Sequence, residues 1–596
     1  MASRDPNALQ AMFARAEAAF RQDDYAQARA LARELAQRAP YTAAVHHLLA
    51  ASERRLDNLE ASRAAFQAAL RIAPDDAHIN SNFANLLNAL GEPDAAIAFY
   101  RRALAKAPDF AEARLNMGLV LKTLDRIDEA IAAYEAVLAR EPANIRGWQA
   151  LGAARRDLGD LDAAAQAFDR VLALAPADPL GLLSRARVES DRGLSARAHF
   201  QRGVQRTGGQ PDFALGHAVE LLVEGETEAG LAEMEQITRA TPGWEVAQSA
   251  LARARWQRQG PEGFARGFEE ALDRNPLDGP LWATYLRALA RAGLHGETLA
   301  RMDRARAALG PSRTLDLIEA ASLSETGDIA GADRLFAPYR GDEDFDLRIA
   351  LVRHHLRARR PDAAAALAEA MLGTSDDSFA IPFLGTAWRL LGDPRWQWLE
   401  GDERLVSTAA LDVDLDALAA TLRTLHLTRF HPFDQSLRGG TQTEGPLFSR
   451  SDPAIRALRA AALAAVETHV AQLPPVDPAH PVLRRPRGQG RMRFTGSWSI
   501  RLAGSGFHVN HVHSEGWISS AFYVALPAVG DGADSHQGWL ALGQPPAELD
   551  LGLDPVRLIR PEPGMLALFP STMWHGTLPF DSGERLTVAF DAVPRL

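Results

Sequence analysis

Histidines near the end of the chain have the spacing of metal ligands. His511 and His513 are two residues apart in a segment that predicts a β-strand, so their side chains lie on one face. His575 follows a second apolar strand, and Arg585 comes ten residues later, at the start of the last strand. Imidazole nitrogens bind iron, zinc, copper and nickel, and a guanidinium group binds carboxylates through two hydrogen bonds. The histidine pattern therefore predicts a metal site.

Short strands are predicted around these residues. From residue 491 onward, strand-like segments rich in β-branched and aromatic residues are bounded by Gly, Pro and Asp: RMRFTGSWSIRL, WISSAFYVAL, GWLALG, MLALFP and RLTVAF. About seven or eight such strands make a sandwich or jelly roll, whose open end would hold the metal. In the last strand, alternation places Arg585 and Thr587 on one face and apolar residues on the other. Helices are predicted before the strands, over LDALAATLRTLHL and residues 453–473, with a polar loop between them.

The order of these features resembles the 2-oxoglutarate- and iron(II)-dependent oxygenases. That family carries His-x-Asp or His-x-Glu on one strand, a distal histidine after another, and an arginine beyond it. The pattern is most similar to oxygenases fused to tetratricopeptide repeats, with His-x-His, an aromatic strand ending in Tyr, and an FPS…H…P…R segment. Here these features are His511 and His513, then Tyr523, then the segment with His575 and Arg585.

The resemblance covers residues 425–596 and implies a double-stranded β-helix, or jelly-roll, domain with Fe(II) and 2-oxoglutarate as cofactors. It implies that Arg585 binds the C5 carboxylate of 2-oxoglutarate and that Tyr523 hydrogen-bonds a carboxylate of the same molecule. Thr587 shares a face with Arg585 and is a further candidate for cofactor contact. Arg501, on a neighbouring strand, could face the interior as a second anion anchor or lie in solvent.

The third metal ligand has two candidates, because His513 occupies the position where most of the family has a carboxylate. The ligands are either His511, His513 and His575, or His513, Glu515 and His575. The 12-residue separation of His511 from Tyr523 favours three histidines. Three neutral imidazoles leave the metal more positive, which suits the dianion 2-oxoglutarate but also admits zinc, manganese or nickel.

Other residues near the site have weaker assignments. His508 is expected to lie in a loop or behind the ligands, and Trp517 and Trp574 flank the site, where they would pack or exclude water. Four loop residues resemble a stretch of the same oxygenase branch and could cover the active-site mouth: Gln435, Arg438, Thr441 and Gln442.

The first two-thirds of the chain repeats itself. Proline recurs every 34 residues at Pro40, Pro74, Pro108, Pro142 and Pro176, and aromatic residues keep the same period at Phe66, Tyr100, Tyr134 and Phe168. Two apolar-periodic segments joined by a turn lie between these markers, which resembles the tetratricopeptide repeat. Such helix pairs stack into a solenoid because no pair can bury its apolar face alone. We expect roughly 11 units over residues 1–395, followed by the jelly-roll domain over residues 396–596.

Composition excludes several classes of function. A net charge of −11 argues against a general nucleic-acid binder, and the absence of cysteine excludes disulfides and thiolate metal sites. No apolar run approaches the roughly 18 residues that a membrane span needs. The N-terminus predicts an amphipathic helix rather than a signal peptide, so a cytoplasmic location is expected.

The resemblance implies a dioxygenase, and the attached repeats favour a hydroxylase that binds a protein or peptide substrate. Asn82 and Asn116 occupy equivalent positions in adjacent repeats, where amides could hydrogen-bond a peptide backbone, although Ala150 interrupts the series. The alternative is a repeat-based interaction scaffold whose cupin-like, metal-binding tail has another activity or none.

Overall fold

The computed structural model describes residues 6–374, 377–487, 491–527 and 536–595. The chain divides into two compact units, Met1–Arg185 with Arg595–Leu596, and Ala186–Pro594. The repeat helices after Arg185 therefore share a unit with the C-terminal sheet. Whether the domain boundary itself lies at residue 395 stays a prediction.

Helical pairs build the first unit. Its helices are α1 Pro6–Arg21, α2 Tyr25–Arg38, α3 Ala43–Arg55, α4 Leu59–Ile72, α5 Ala77–Ala89, α6 Pro93–Lys106, α7 Ala111–Thr123, α8 Ile127–Leu138, α9 Ile145–Asp157, α10 Leu161–Leu174 and the start of α11 Pro179–Asp191. Each of the first ten packs most extensively on its partner in a consecutive pair, as α3 does on α4. The predicted all-α solenoid of tetratricopeptide type is confirmed.

The 34-residue period has a direct structural cause. The turn inside each pair places one residue in the left-handed region, with φ of 61° at Asp125 and 78° at Gly91. Glycine and aspartate tolerate that conformation better than most residues do. At two of these positions the aromatic ring packs on a glycine of the preceding helix: a Cβ at Gly118 would lie 2.4 Å from Cε1 of Tyr134, and a Cβ at Gly152 would lie 2.8 Å from Cζ of Phe168.

The two asparagines of the predicted ladder contact neighbouring side chains. Nδ2 of Asn82 lies 2.8 Å from Nε2 of His47, and Nδ2 of Asn116 donates to Oδ1 of Asn85 at 3.2 Å. These amide nitrogens bridge adjacent first helices, so a role in binding a peptide stays a prediction.

The second unit continues the repeats and adds two helices to the sheet. The repeat helices are α12 Arg197–Arg206, α13 Pro211–Val223, α14 Thr227–Ala240, α15 Glu245–Gln259, α16 Arg266–Arg274, α17 Gly279–Arg291, α18 His295–Leu309, α19 Arg313–Glu325, α20 Ile329–Phe336, α21 Phe345–Arg357, α22 Pro361–Glu369 and α23 Asp377–Leu391. Helices α24 Leu415–Arg423 and α25 Pro453–Gln472 follow. No helix among the described residues is long and apolar enough to cross a membrane.

The described C-terminal residues form a curled antiparallel sheet. Its strands are β1 Ser407–Ala410, β2 Leu437–Gln442, β3 Met492–His511, β4 Ile518–Ala525, β5 Leu540–Leu542, β6 Arg557–Ile559, β7 Met565–Pro570, β8 His575–Thr577 and β9 Arg585–Pro594. They run in the order β1-β7-β4-β9-β3-β8-β5-β6, and β2 also pairs with β3. The long β3 pairs with β9 along its first half and with β2 and β8 further on, so it belongs to both halves of the curled sheet. The predicted jelly-roll architecture is confirmed.

One face of the sheet packs on helices. Leu586, Val588 and Phe590 of β9 share an apolar core with Leu458 of α25 and Leu418 of α24. Because side chains alternate along a strand, residues of the opposite parity point into the interior of the curled sheet. That interior contains the candidate site.

Four strands, β1, β2, β6 and β8, escape prediction from the sequence. β1, with the sequence STAA, lies in a segment that reads as a connector, and it pairs with β7 at the edge of the sheet. β2 contains Gly439 and Gly440, which favour turns rather than strands. The close approach of β3 explains the second glycine, because a Cβ at Gly440 would lie 2.4 Å from the backbone oxygen of Arg501.

The segment before β2 is anchored on a repeat helix. The backbone nitrogens of Arg429 and Phe430 donate to the carbonyl of Gln257, next to the end of α15. The ring of Phe433 packs edge-on against Trp256, with 5.6 Å between centroids. These contacts fix the segment that leads into β2.

A buried carboxyl group packs against α23, the helix that contacts the residue before β8. Glu400 is 6% exposed and lies against α23, where Oε1 would be 3.0 Å from a Cβ at Gly385. α23 in turn accepts hydrogen bonds from Nε1 of Trp574, the residue before β8. Burial raises the pKa of Glu400 to about 7.

We predict that Glu400 makes stability fall as the pH rises. The folded-state pKa of about 7 exceeds the unfolded value of 4.5. The stability that protonated Glu400 contributes is therefore fully present below pH 4.5 and is lost as the pH rises through 7. Urea unfolding of wild type and Glu400→Gln should show the variant gaining up to about 3 kcal/mol relative to wild type between pH 4.5 and 8. A pH-independent difference between them would contradict the assignment.

Candidate metal centre

Strand pairing brings three histidines together. His511 at the end of β3 lies directly opposite His575 at the start of β8, and their ring centroids are 4.2 Å apart. His513, two residues past the end of β3, completes the group at 5.0 Å from His511 and 4.9 Å from His575. One candidate ligand atom from each residue lies within 4.8 Å of the other two, a spacing that could hold a metal ion.

Hydrogen bonds fix the same ring nitrogen in all three imidazoles. Nδ1 of His511 donates to the carbonyl of Val509 at 2.8 Å, and Nδ1 of His575 donates to the carbonyl of Met573 at 3.0 Å. Nδ1 of His513 lies 2.7 Å from Oδ1 of Asp591. Since a neutral imidazole carries one N–H, these bonds leave Nε2 with its lone pair free for a metal.

Burial keeps two of the three imidazoles neutral. Burial, followed by the neighbouring His513, lowers the pKa of His511 to about 3. Burial and the adjacent His511 also hold the pKa of His575 well below its usual value. A histidine that resists protonation is available as a metal ligand at neutral pH.

Arg585 is a buried cation in the same pocket. Its side chain is 2% exposed, and no carboxylate of a described residue pairs with it. Its guanidinium carbon lies 5.1 Å from the ring centroid of Tyr523, whose buried hydroxyl has no hydrogen-bond partner among the described residues. Burial lowers the pKa of Arg585 and raises that of Tyr523. An unpaired buried charge is costly, so this arrangement favours an anionic ligand.

The pocket contains other residues singled out in the sequence. Thr587 lies on its wall as strand alternation predicts, and His508 contributes a fourth imidazole, with Nδ1 3.3 Å from Oγ1 of Thr577. Gln435 and Gln442 also line it, beside the anchored segment. Among the described residues, the lining includes no Asp or Glu, and its apolar part is Trp498, Ile500, Ala521, Leu540, Phe569 and Ala589.

The structure corrects the candidate role of Arg501. Its side chain is exposed and pairs with Glu584 at 2.6 Å. Trp498 and Ile500 are residues of β3 that line the pocket. Because side chains alternate along a strand, the side chain of Arg501 lies on the opposite face and points away from the pocket. It is not a second anion anchor inside the pocket.

Several neighbours also point elsewhere. Arg438 donates to the carbonyls of Gln435 and Leu437, and Thr441 contacts His426 rather than the pocket. Both flanking tryptophans are packing residues. Trp517 donates to the carbonyl of Val482, and Trp574 donates to α23.

Glu515 lies outside the group. It is exposed, whereas His511, His513 and His575 converge, so the geometry favours the three-histidine alternative.

Two contributors were missed by sequence reasoning. Asp591, in β9, contacts His513, and Ser519 of β4 donates to the same carboxylate at 2.5 Å. The available signal was an acidic residue in the apolar second half of β9, on the same strand face as Arg585 and Thr587. Its partner is 78 residues away in the chain, and only the strand register brings the two together.

Comparisons with known proteins agree with this division. Residues 496–591 match the model of a family described as "Putative 2OG-Fe(II) oxygenase". The chain carries a domain of this oxygenase family. Four tetratricopeptide-repeat models match residues 2–43, 41–109, 87–154 and 145–178. Repeats and oxygenase-type domain thus occur in one chain, as the sequence patterns predict.

Solved structures of tetratricopeptide repeat proteins are similar to part of the chain. A tetratricopeptide repeat protein from Parabacteroides merdae is 18% identical, with a TM-score of 0.34 over 41% of this chain and 98% of its own. The C-terminal part of a repeat protein from Cytophaga hutchinsonii is 18% identical, with a TM-score of 0.35 over 40% of this chain and 99% of its own. Similarities this low carry no argument about function. No curated protein matches the chain.

We predict that metal affinity depends on His513 and not on Glu515. Anaerobic titration calorimetry with Fe(II) should show an affinity loss of more than about 100-fold for His513→Ala, because a direct ligand is lost. Glu515→Ala, two residues away, is the matched control and should bind like wild type. Loss of binding in Glu515→Ala with retention in His511→Ala would contradict the three-histidine arrangement.

Proposed function

We propose that this protein is a 2-oxoglutarate- and iron(II)-dependent dioxygenase that hydroxylates a protein or peptide. One observation carries the proposal: the pocket that holds three converging histidines also holds Arg585, a buried cation that pairs with no carboxylate of the described residues. A dicarboxylate that met the metal at one end and Arg585 at the other would balance both charges.

The donor set fits iron(II). Three imidazole Nε2 atoms on one side of a metal leave coordination positions for other ligands, as in non-haem iron oxygenases. Since the protein contributes no carboxylate ligand in this arrangement, an anionic co-ligand is favoured electrostatically. The same three imidazoles can hold other divalent metals, so the metal must be identified by experiment.

Bound iron(II) and 2-oxoglutarate would supply the activation of dioxygen, coupled to decarboxylation of 2-oxoglutarate to succinate. The residues of the chain supply position and environment. Arg585 would hold the C5 carboxylate through charge-assisted hydrogen bonds, and the hydroxyl of Tyr523 beside it could donate another. Apolar side chains such as Trp498, Leu540 and Phe569 exclude water from the pocket.

The proposed substrate class rests on how the pocket wall is held. Gln435 and Ser436 line the pocket and directly follow the segment anchored on α15. Stacked helix pairs offer extended surfaces that bind peptides. A peptide bound to the repeat helices next to α15 would therefore reach the rim of the pocket. We infer that the substrate is a protein or peptide.

Affinity for 2-oxoglutarate should depend on Arg585. In Arg585→Gln the metal remains, but charge-assisted hydrogen bonds to the C5 carboxylate are lost, which weakens binding about 10- to 100-fold. Anaerobic calorimetry on the iron-loaded protein measures this. Arg501→Gln, an arginine of the adjacent strand that faces away from the pocket, is the matched control and should bind normally. Equal losses in the two variants would contradict the role of Arg585.

Turnover tests the reaction class. Iron-loaded protein with 2-oxoglutarate, dioxygen and a peptide library should form succinate and yield peptides that gain one oxygen atom. His575→Ala should abolish both products. If neither product forms with iron although metal binding is retained, the alternative of a repeat scaffold with a cupin-like metal-binding tail is favoured.

A further inference from the structure

A buried carboxylate lies directly behind one of the candidate ligands. Asp591 is 8% exposed, and its Oδ1 lies 2.7 Å from Nδ1 of His513. The Nδ1 atoms of His511 and His575 instead donate to backbone carbonyls. The environment of the three imidazoles is therefore asymmetric, and only His513 is in contact with a negative charge.

The carboxylate is held rigidly. Ser519 lies opposite Asp591 on the neighbouring strand, and its hydroxyl donates to the same Oδ1 at 2.5 Å. Oγ of Ser571 lies 2.9 Å from Oγ of Ser519, and the Ser571 carbonyl accepts the backbone N–H of His513. Gly516 allows this close packing, since a Cβ there would lie 2.4 Å from Oγ of Ser571.

The position of Asp591 matters because none of the three candidate metal ligands is a carboxylate. Imidazoles that bind a metal bring no negative charge to it, and the described residues of the pocket lining include no Asp or Glu. A carboxylate that accepts the Nδ1 proton of a ligating histidine fixes the ring and makes its other nitrogen a stronger donor, and loss of such a partner typically weakens metal binding 10- to 100-fold. His513 occupies the sequence position where most of the family has a carboxylate ligand, and the carboxylate of Asp591 contacts the Nδ1 side of this imidazole.

We propose that Asp591 is a positioning residue that orients His513 and contributes, through its imidazole, the negative charge that the three ligands lack. Ser519 holds the carboxylate in place for this role. The inference rests on the proposed function only in taking the three histidines as the metal site. It adds that the ligands are unequal, with His513 the strongest donor.

Cobalt(II) titration tests the charge. Asp591→Asn keeps the shape and can still accept the Nδ1 proton through its amide oxygen, so it removes mainly the charge. We expect about 10-fold weaker cobalt binding for Asp591→Asn and about 100-fold for Asp591→Ala. Asp581→Asn is the matched control, because Asp581 is exposed and contacts only Gln537 among the hydrogen-bond partners identified. It should bind like wild type.

Proton NMR of the cobalt-loaded protein separates this role from a merely structural one. Wild type should show three exchangeable, paramagnetically shifted N–H signals, one from each Nδ1. In Asp591→Asn the signal of His513 should move while the other two stay, a selectivity that a general loss of packing would not produce. Ser519→Ala, which frees the carboxylate but keeps its charge, should move the same signal by less.

The outcomes are distinguishable. Unchanged affinity and unchanged N–H signals in Asp591→Asn overturn the inference while leaving the metal site intact. If Asp591→Asn does not fold, Ser519→Ala decides: a selective shift of the His513 signal supports the role of Asp591, and an unchanged spectrum overturns it. If wild type binds neither cobalt nor iron, the inference and the proposed function both fail.

Discussion

The site depends on the pairing of β3 with β8. That register sets His511 opposite His575, and directly opposed residues of antiparallel strands have side chains close enough to share a ligand. A shift of one residue would turn one of the two rings to the other face of the sheet. The length of β3 makes the register possible, because its first half is held by β9 before its second half meets β8. The repeat helices stabilise the same region through Trp574 and α23.

Charge is the second constraint on the pocket. Imidazole ligands bring no negative charge, Arg585 is positive and buried, and the described lining residues include no Asp or Glu. Such a pocket is stable only if an anion enters it or if the protein provides compensation nearby. The two kinds of compensation can occur together. A dicarboxylate would balance Arg585, and Asp591 places a carboxylate against Nδ1 of His513. Bound at the metal, the co-substrate would then supply the negative charge that Arg585 lacks among the described residues of the pocket.

Local pattern was sufficient for much of the fold. The 34-residue period predicts the turn at Asp125, which has a positive φ, and alternation in β9 places Arg585 and Thr587 inside the sheet. Parity alone does not say which face of a strand is interior, and for that reason Arg501 could not be placed from sequence. β2 was missed because its glycines match a turn, although they serve a close contact with β3. Asp591 was missed because its partner is distant in the chain.

X-ray absorption spectroscopy of the anaerobic, iron-loaded protein tests the central claim most directly, because it counts the imidazole ligands of the metal. The account predicts three histidines around iron, no change in Glu515→Ala, and a changed set of oxygen ligands when 2-oxoglutarate replaces water on the metal. Two histidines with a protein carboxylate, or a spectrum that does not respond to 2-oxoglutarate, would contradict it.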